Sequence, residues 1–179
     1  RKNFENAPFW GKKKENRAKL VFKNRVEYPD RIVEKMLLDK EGNVALSIGP
    51  FAGDCFDMKS LKKCSLGLLV YEEHSLAKKR EATILDLEGE PLYLENSSFK
   101  LNEFIQSRCW NRGFEPDIVF ETNGFDLCYK MCRLKRGLSV TIDFVHEDMN
   151  TEGLVMIPFA EDDMIWEIGL LTLKDRAME

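Results

Sequence analysis

Five consecutive residues carry the side chains best suited to binding a small molecule: Glu95, Asn96, Ser97, Ser98 and Phe99. They stand just before an amphipathic segment that begins near Phe99, so the pattern predicts that they open a helix. Free N–H groups and hydroxyls at a helix N-terminus bind a carboxylate or a phosphate readily. An ordinary helix cap uses the same residue types, and the motif alone does not separate the two interpretations.

Three other groups of residues follow predicted strands and are candidates for the same ligand site. They are Ser47 with Gly49, Pro50 and Phe51; Thr122 with Asn123; and Thr141 with Asp143. In open parallel α/β sheets, the loops that follow the strands form the ligand cleft. Turn formation and capping explain the same residues, so both interpretations stay open. The acidic side chains of Glu95, Glu121 and Asp143 near one cleft would favour an amine-bearing or zwitterionic ligand.

The other reactive side chains do not form a catalytic or metal-binding set. His74 and His146, the only two histidines, have no metal-ligand spacing with other candidates, so zinc is not expected. Ser139 lacks the G-x-S-x-G context of an activated serine. Cys128 and Cys132 are four apart on one helix face, where packing in the core is the favoured interpretation. We therefore expect no enzyme activity, no cofactor and no metal.

The composition is that of an ordinary globular chain that does not itself hold nucleic acid. The 179 residues carry a net charge of −4 and have a pI near 5.4, which is a poor match for a phosphate backbone. Any DNA contact is therefore expected elsewhere. An odd count of five cysteines suits a reducing cytoplasm. No secretory signal and no apolar run of the ~20 residues that a membrane span needs are visible.

The pattern of strands and helices centres on residues 66–99. Leu66–Tyr71 is an apolar run typical of a strand buried on both faces. Thr83–Glu88 predicts a short capped helical turn, and Pro91–Leu94 predicts a second strand that leads to a helix over residues 99–112. We interpret this stretch as a strand, a surface helix, a parallel strand and a second helix.

The rest of the chain alternates in the same way. The predicted strands cover residues 19–27, 44–49, 114–120, 138–142, 153–159 and 165–173. Helices are predicted over residues 31–40 and 125–136, with a polar helical turn at 146–152. Asp30 is predicted to cap the first of these helices.

The order of these segments resembles the effector-sensing domain of LysR-type transcriptional regulators. The resemblance runs from about Lys19 to Arg176, and its segments are GNVALSIGP (42–50), EEHSLAKK (72–79), TILDLEGEPL (83–92), LENSS (94–98) and GFEPDIVFETN (113–123). Asn43 stands where the family mostly carries aspartate, and Leu138 replaces a small residue. The family's first strand, its ligand-contacting Ser/Thr loop and most of its first helix are expected outside this sequence.

The resemblance implies an α/β fold with two Rossmann-like lobes joined by two crossing strands, similar to type 2 periplasmic binding proteins. Lobe I would comprise residues 1–69 plus 155–179, and lobe II residues 70–154. The crossing strands would lie near Leu68–Tyr71 and Leu154–Phe159. The effector would bind between the lobes, where the candidate loops of the two lobes face each other.

By the same resemblance, the chain would sense a small-molecule effector for a cytoplasmic bacterial regulator. DNA would be bound only by an N-terminal helix-turn-helix domain absent from this sequence. The protein would form a homodimer or homotetramer with antiparallel two-fold pairing, in which the helix at 31–40 or its neighbours in one subunit packs against the helix at 99–112 of another. The alternative is an extracytoplasmic solute-binding protein of a transporter, which shares the architecture but would be monomeric and carry a signal or lipid anchor.

Overall fold

The computed structural model describes residues 29–51 and 55–174. Within these ranges the strands are β1 (Ala45–Gly49), β2 (Phe56–Tyr71), β3 (Pro91–Glu95), β4 (Asp117–Thr122), β5 (Ser139–Ile142), β6 (Leu154–Pro158) and β7 (Ile165–Leu173). The α-helices there are α1 (Asp30–Leu38), α2 (Lys100–Asn111), α3 (Phe125–Arg133) and α4 (Asp143–Asp148). Of the helices described, none has the length and apolar character needed to cross a membrane. The strand predicted over residues 19–27 lies outside the described residues.

The long strand β2 is shared by two sheets. Its first ten residues pair antiparallel with β7, from Phe56 opposite Leu173 to Ser65 opposite Ile165, and β7 pairs in turn with β1. Its last residues lie between β5 and β6 and run antiparallel to both. The stretch 66–70 is buried throughout, as its continuous apolar sequence predicts. The chain thus passes from one sheet to the other within a single strand.

The first half of β2 was not predicted as a strand. Residues 57–61 are all exposed, so the alternation of apolar and polar residues that marks a half-buried strand is absent. The pairing with β7 also shifts register between Ser60 and Lys62. Pairing with a distant strand, rather than local sequence, therefore forms this segment.

The parallel strands β3 and β4 form a separate two-stranded sheet that meets β5 at one isolated bridge. β3 pairs with β4 from Pro91 opposite Asp117 to Glu95 opposite Thr122, and α2 connects them. β3 also meets the start of β5, where Leu138 N donates to Pro91 O at 2.8 Å and Tyr93 N donates to Leu138 O at 2.9 Å. The parallel strand–helix–strand unit of this chain is therefore β3–α2–β4.

The predicted parallel pairing of the 66–71 strand with the 91–94 strand is wrong. β5 lies between them: it is antiparallel to β2 and parallel to β3 at the bridge between Leu92 and Leu138. β2 and β3 therefore run in opposite directions. Two apolar strands with a surface turn between them suggest a crossover, but the local pattern does not reveal a strand inserted from about 45 residues further along the chain. The turn itself is confirmed as a 3-10 helix over Ile84–Leu87, with Thr83 N donating to Asp86 Oδ2 at 2.9 Å.

The main core packs α2 against one face of the second half of β2. Leu101, Ile105 and Cys109 repeat every fourth residue on α2 and are buried in the same cluster as Leu66 and Leu68. On the opposite face of β2, Leu69 packs with residues of α3 and β6. This alternation covers the strand on both sides.

The turn before β5 leaves no room for a side chain at Gly137. A Cβ there would lie 2.3 Å from Pro91 O, so the backbone of β3 or β5 would have to move. We expect Gly137→Ala to lower the free energy of unfolding by about 2 kcal/mol or more in urea denaturation. Gly124→Ala is the matched control, because a Cβ there meets nothing within 4 Å and its φ of −179° is extended backbone. Equal losses in the two variants would contradict the packing argument.

Candidate functional site

Lys100, the first residue of α2, joins two of the predicted loops. Its side chain is buried, and its Nζ donates to the carboxylate of Glu34 on α1 and, at 3.0 Å, to Ile48 O at the end of β1. The same ammonium lies 4.6 Å from the ring centre of Phe51. Glu34 also accepts a hydrogen bond of 2.8 Å from the hydroxyl of Ser47. The loop at 47–51 and the helix start at 99–100 therefore meet at Lys100.

The close approach extends to Gly49 and Pro50. A Cβ on Gly49 would lie 2.7 Å from Lys100 Nζ, so the glycine allows the lysine to pass over the end of β1. Pro50 follows at an exposed position. Sequence reasoning identified the loop but not Glu34 or Lys100, because their pairing across 66 residues leaves no local periodic signal.

The N-terminus of α2 is capped by a residue of α1. Asp30 accepts from Lys100 N at 3.1 Å and from Arg31 N at 2.8 Å. Burial raises the pKa of Asp30, and these two N–H donors and the Lys100 charge act against that rise. The prediction that Asp30 caps α1 is wrong, because Pro29 is the N-cap residue and Asp30 is the first residue of the helix. The Asp30 carboxylate instead caps α2.

The predicted loop before α2 is organised by Asn96. Its Oδ1 accepts from Ser98 N at 2.9 Å, and its backbone O accepts from Phe99 N at 2.9 Å. Its backbone N donates to Thr122 O at 2.7 Å, and its side-chain amide donates to Asn123 Oδ1. The two predicted loops at 95–99 and 122–123 thus form one hydrogen-bonded unit. Ser97 and Asn123 are the exposed residues of that unit.

Glu95 is a carboxyl group enclosed beside this loop. The residue is 6% exposed at the end of β3. Burial raises its pKa to about 8, and the negative charge of Asp30 adds to the rise. At neutral pH the side chain therefore holds its proton and is a neutral hydrogen-bond donor.

Thr141 and Asp143 use their polar atoms elsewhere. Thr141 is fully buried, and its hydroxyl shares a hydrogen bond of 2.9 Å with Tyr129, whose hydroxyl lies 3.1 Å from His146 Nδ1. Asp143 accepts from Ser65 N at 3.0 Å and from Phe144 N at 2.6 Å. Because these polar atoms already bond within the chain, we leave Thr141 and Asp143 out of the proposed ligand contacts.

The three acids expected to favour an amine-bearing ligand lie in different environments. Asp143 is bound to backbone N–H groups, and Glu121 Oε1 accepts from Asn102 Nδ2 at 2.8 Å. Glu95 is protonated at neutral pH because of its burial-raised pKa of about 8. Of the three acids, Glu95 is the one held neutral, while Asp143 and Glu121 accept hydrogen bonds from within the chain.

A groove of about 470 Å³ runs between α1 and α2, and we call it the α1–α2 groove. Its sides are formed by Arg31, Glu34, Lys35 and Leu38 of α1 and by Lys100, Glu103, Phe104 and Ser107 of α2. This spacing places each set on one helix face. Pro50, Phe51 and Phe56 complete the lining. Two of the predicted residues, Pro50 and Phe51, therefore border a ligand-sized space.

The paired cysteines of α3 belong to the core. Cys128 and Cys132 are fully buried, and the Cys132 thiol points at Leu69 O at 3.7 Å. Burial raises the pKa of the two thiols to about 11 and about 12, which disfavours the reactive thiolate. The core-packing interpretation of this pair is confirmed. Among the described residues, no group of three or more His, Cys, Asp and Glu side chains is arranged to hold a metal ion.

Comparison with known proteins identifies the family of this chain. The LysR substrate binding domain family matches residues 25–179. The uncharacterized HTH-type transcriptional regulator YwbI of Bacillus subtilis (strain 168) is 27% identical over 139 residues, which are 75% of this chain and 46% of that protein. The chain therefore spans about half the length of this curated relative.

Two solved structures show the same fold. The regulatory domain of CcmR from Synechocystis PCC6803, in complex with 2-PG, superposes with a TM-score of 0.74 at 12% identity, covering 84% of this chain and 73% of that one. The BenM effector binding domain with its effector benzoate gives 0.70 at 17% identity, covering 86% and 70%. They confirm the predicted fold class. Because the family match covers most of the sequence, this chain belongs to the LysR substrate binding domain family.

Proposed function

We propose that this chain is the effector-sensing domain of a LysR-type transcriptional regulator and binds a small molecule between two lobes. The observation that carries the proposal is the contact of Lys100 with Ile48 and Glu34, which brings the loop at 47–51 against the start of α2. These loops belong to different sheets, so a ligand between them contacts both. The benzoate bound by the BenM domain and the 2-PG bound by the CcmR domain support a ligand of this size.

The proposed lobes divide the chain at β2. Lobe I comprises residues 1–69 plus 155–179, and lobe II residues 70–154. β2 pairs with β7 up to Ser65 and with β5 and β6 from about residue 66 onward, and this change of partner supports the division. A ligand that binds one lobe angle more tightly shifts the population toward it. The proposed contacts come from residues 47–51, 95–99 and 122–123.

The complete regulator would bind DNA through a separate domain. The net charge of −4 does not suit this domain for a phosphate backbone, and the chain matches only 46% of the relative YwbI, named as an HTH-type regulator. We propose that a helix-turn-helix domain provides the DNA contact in the cytoplasm. The proposed role is binding without a chemical reaction.

A second copy of the chain is the proposed protein partner. Trp110 at the end of α2 is 55% exposed, and Val119 and Phe120 on β4 are 45% and 50% exposed. Exposed apolar side chains that form a contiguous patch mark interaction surfaces, whereas scattered ones are normal on a monomer. Ile32 and Leu38 on α1 are also exposed, at 39% and 47%. These positions support pairing of α1 with α2 of another subunit.

We expect sedimentation equilibrium to give a mass of at least twice 20.8 kDa. Trp110→Glu, which places a charge in the exposed apolar area, is expected to shift the population toward monomer. Leu85→Glu, at another exposed apolar position with 51% exposure, is the control and leaves the mass unchanged. A monomer at all concentrations would instead favour the solute-binding protein.

A thermal-shift screen of amino acids, aromatic acids and polyamines tests the sensing function. A ligand at about 100 times its Kd stabilises the folded state by about 2.7 kcal/mol, which raises Tm by several degrees. Ser97→Glu places a charge on the exposed residue of the Asn96 loop and should abolish the shift with little change in the Tm of the free protein. Ser75→Glu, at another exposed serine that begins a short helix, is the control. An unaltered ligand response in Ser97→Glu would remove this loop from the site.

The buried carboxyl of Glu95 predicts a pH-dependent stability. Its folded pKa of about 8 lies above the ordinary 4.5, so the folded chain holds the proton more tightly and loses stability as pH rises from about 4.5 through about 8. Asp30 of α1 and Cys128 of α3 face the group. We expect Glu95→Gln to gain on the order of 2 kcal/mol over the original chain between pH 6 and pH 8. Urea denaturation measures this, with Glu88→Gln at an exposed position as the control, and parallel pH curves would contradict the assignment.

A further inference from the structure

Three polar contacts join the start of α1 to the start of α2. The Asp30 carboxylate accepts from Lys100 N at 3.1 Å, and Glu34 pairs with the ammonium of the same lysine. Arg31 pairs with Glu103 one turn further along α2. α1 packs against β1 and β7, whereas α2 connects β3 with β4. The three contacts therefore run between the two proposed lobes.

Two of these contacts depend on the same residue, Lys100. It is the first residue of α2, so its backbone N–H has no acceptor inside the helix and donates to Asp30 instead. Its ammonium donates to Glu34 and to Ile48 O. A movement of α2 away from α1 that breaks one of these bonds therefore breaks the others. The contacts form and separate together, as a two-state element requires.

The pair of Lys100 and Glu34 is balanced between forming and separating. The two residues are 7% and 8% exposed, so their contact gains charge attraction and loses hydration of both groups. In buried ion pairs these two changes are of similar size. Ile48 O, the Ser47 hydroxyl and the Phe51 ring add contacts to the pair that are lost when the helices separate. The closed arrangement is therefore favoured, yet it can be reversed.

We propose that these contacts form a latch that holds the two lobes together without a ligand. The latch consists of Asp30, Arg31 and Glu34 on α1 and of Lys100 and Glu103 on α2. The free domain then rests in the closed arrangement, and a small molecule enters between the lobes when the latch opens. The inference rests on the proposed function, because it assigns a conformational control to the same two lobes.

The charges of the latch region satisfy one another, so closure needs no ion from solution. Asp30 and Glu34 each meet a positive partner on α2, and Arg31 meets a negative one. The acids and bases at the junction are equal in number: Asp30, Glu34, Glu103, Arg31, Lys35 and Lys100. The closed arrangement is therefore available to the chain alone.

A second set of contacts of α2 lies close to the crossing strands. The Phe104 ring packs edge-to-face on Trp166, with ring centres 5.1 Å apart, and Arg108 pairs with Asp163. Trp166 lies opposite Cys64, two residues before the buried half of β2 begins. Because these contacts are near the point where the chain passes between the sheets, they move little when the lobes rotate. They form the pivot, and the latch lies at the other end of α2.

Hydrogen exchange at the Lys100 amide tests the latch in the ligand-free chain. Asp30 is the acceptor of that amide, so its exchange rate reports separation of the helices. Glu34→Gln removes the charge that pairs with the ammonium and leaves Asp30 in place. We expect it to raise the exchange rate at Lys100 about tenfold or more relative to the Leu68 amide in the core. Glu41→Gln, at an exposed acid beyond α1, is the control and should leave the rate unchanged.

An unchanged Lys100 rate in Glu34→Gln would overturn the latch, because the contacts would then be independent. Arg31→Ala keeps the test valid if loss of the buried partner unfolds the chain, since the pair of Arg31 with Glu103 is largely exposed. We expect Arg31→Ala to raise the Lys100 rate roughly twofold to fivefold, with the core amides unchanged. Equal rates in this variant and in the original chain would also refute the proposal.

Distances between two spin labels test the lobe arrangement directly. Lys59→Cys on β2 and Lys130→Cys on α3 place the labels at exposed positions of the two proposed lobes. Cys55→Ser removes the exposed native cysteine. We expect one narrow distance in the ligand-free chain and a second distance when Glu34→Gln is added. Two distances already present without Glu34→Gln, or one unchanged distance with it, would contradict a closed resting state.

The latch and the sensing function fail in different measurements. Absence of any stabilising compound in the thermal-shift screen would count against sensing and would leave the exchange and distance results of the free chain as they are. A compound that raises Tm in a chain whose Lys100 amide exchanges without protection would refute the latch and leave sensing intact.

Discussion

The buried ion pair between Lys100 and Glu34 is the interaction on which the arrangement of the two helices depends. A charged ammonium and a carboxylate removed from water each lose several kcal/mol of hydration, and only close, well-directed partners recover it. Ile48 O, the Ser47 hydroxyl and the Phe51 ring supply the remaining contacts. Because all of these partners must be present together, the end of β1, the middle of α1 and the start of α2 are specified as one unit. The candidate ligand site is assembled by this requirement rather than by any single loop.

The shared strand β2 provides the second constraint. Its exposed first half belongs to the sheet of β1 and β7, while its buried second half lies between β5 and β6. Asp143 accepts a hydrogen bond from Ser65 N at the point where β2 passes from its exposed half to its buried half. A strand that belongs to two sheets transmits displacement of one sheet to the other through backbone hydrogen bonds.

Local sequence patterns predicted the buried and periodic parts of the fold but not their pairing. The bounds of β3, α2 and β5 lie within a few residues of the prediction, because apolar periodicity and turn residues mark them directly. The first half of β2 carries charged side chains and forms a strand only because β7 pairs with it. The insertion of β5 between β2 and β3, and the meeting of Glu34 with Lys100, depend on contacts between segments far apart in sequence. For the site, the Asn96 loop was recognisable from its turn residues, whereas Thr141 has the right residue type but lies in the core.

Asp30 caps the N-terminus of α2, so another anion has to compete with its carboxylate for that position. The positive end of a helix ordinarily attracts chloride, sulfate and phosphate from solution without much discrimination. Here the carboxylate of Asp30, tethered on α1, already occupies that end. An incoming anion must displace it and leave Asp30 without its donors. A free anion therefore reaches the N-terminus of α2 only by displacing the Asp30 carboxylate.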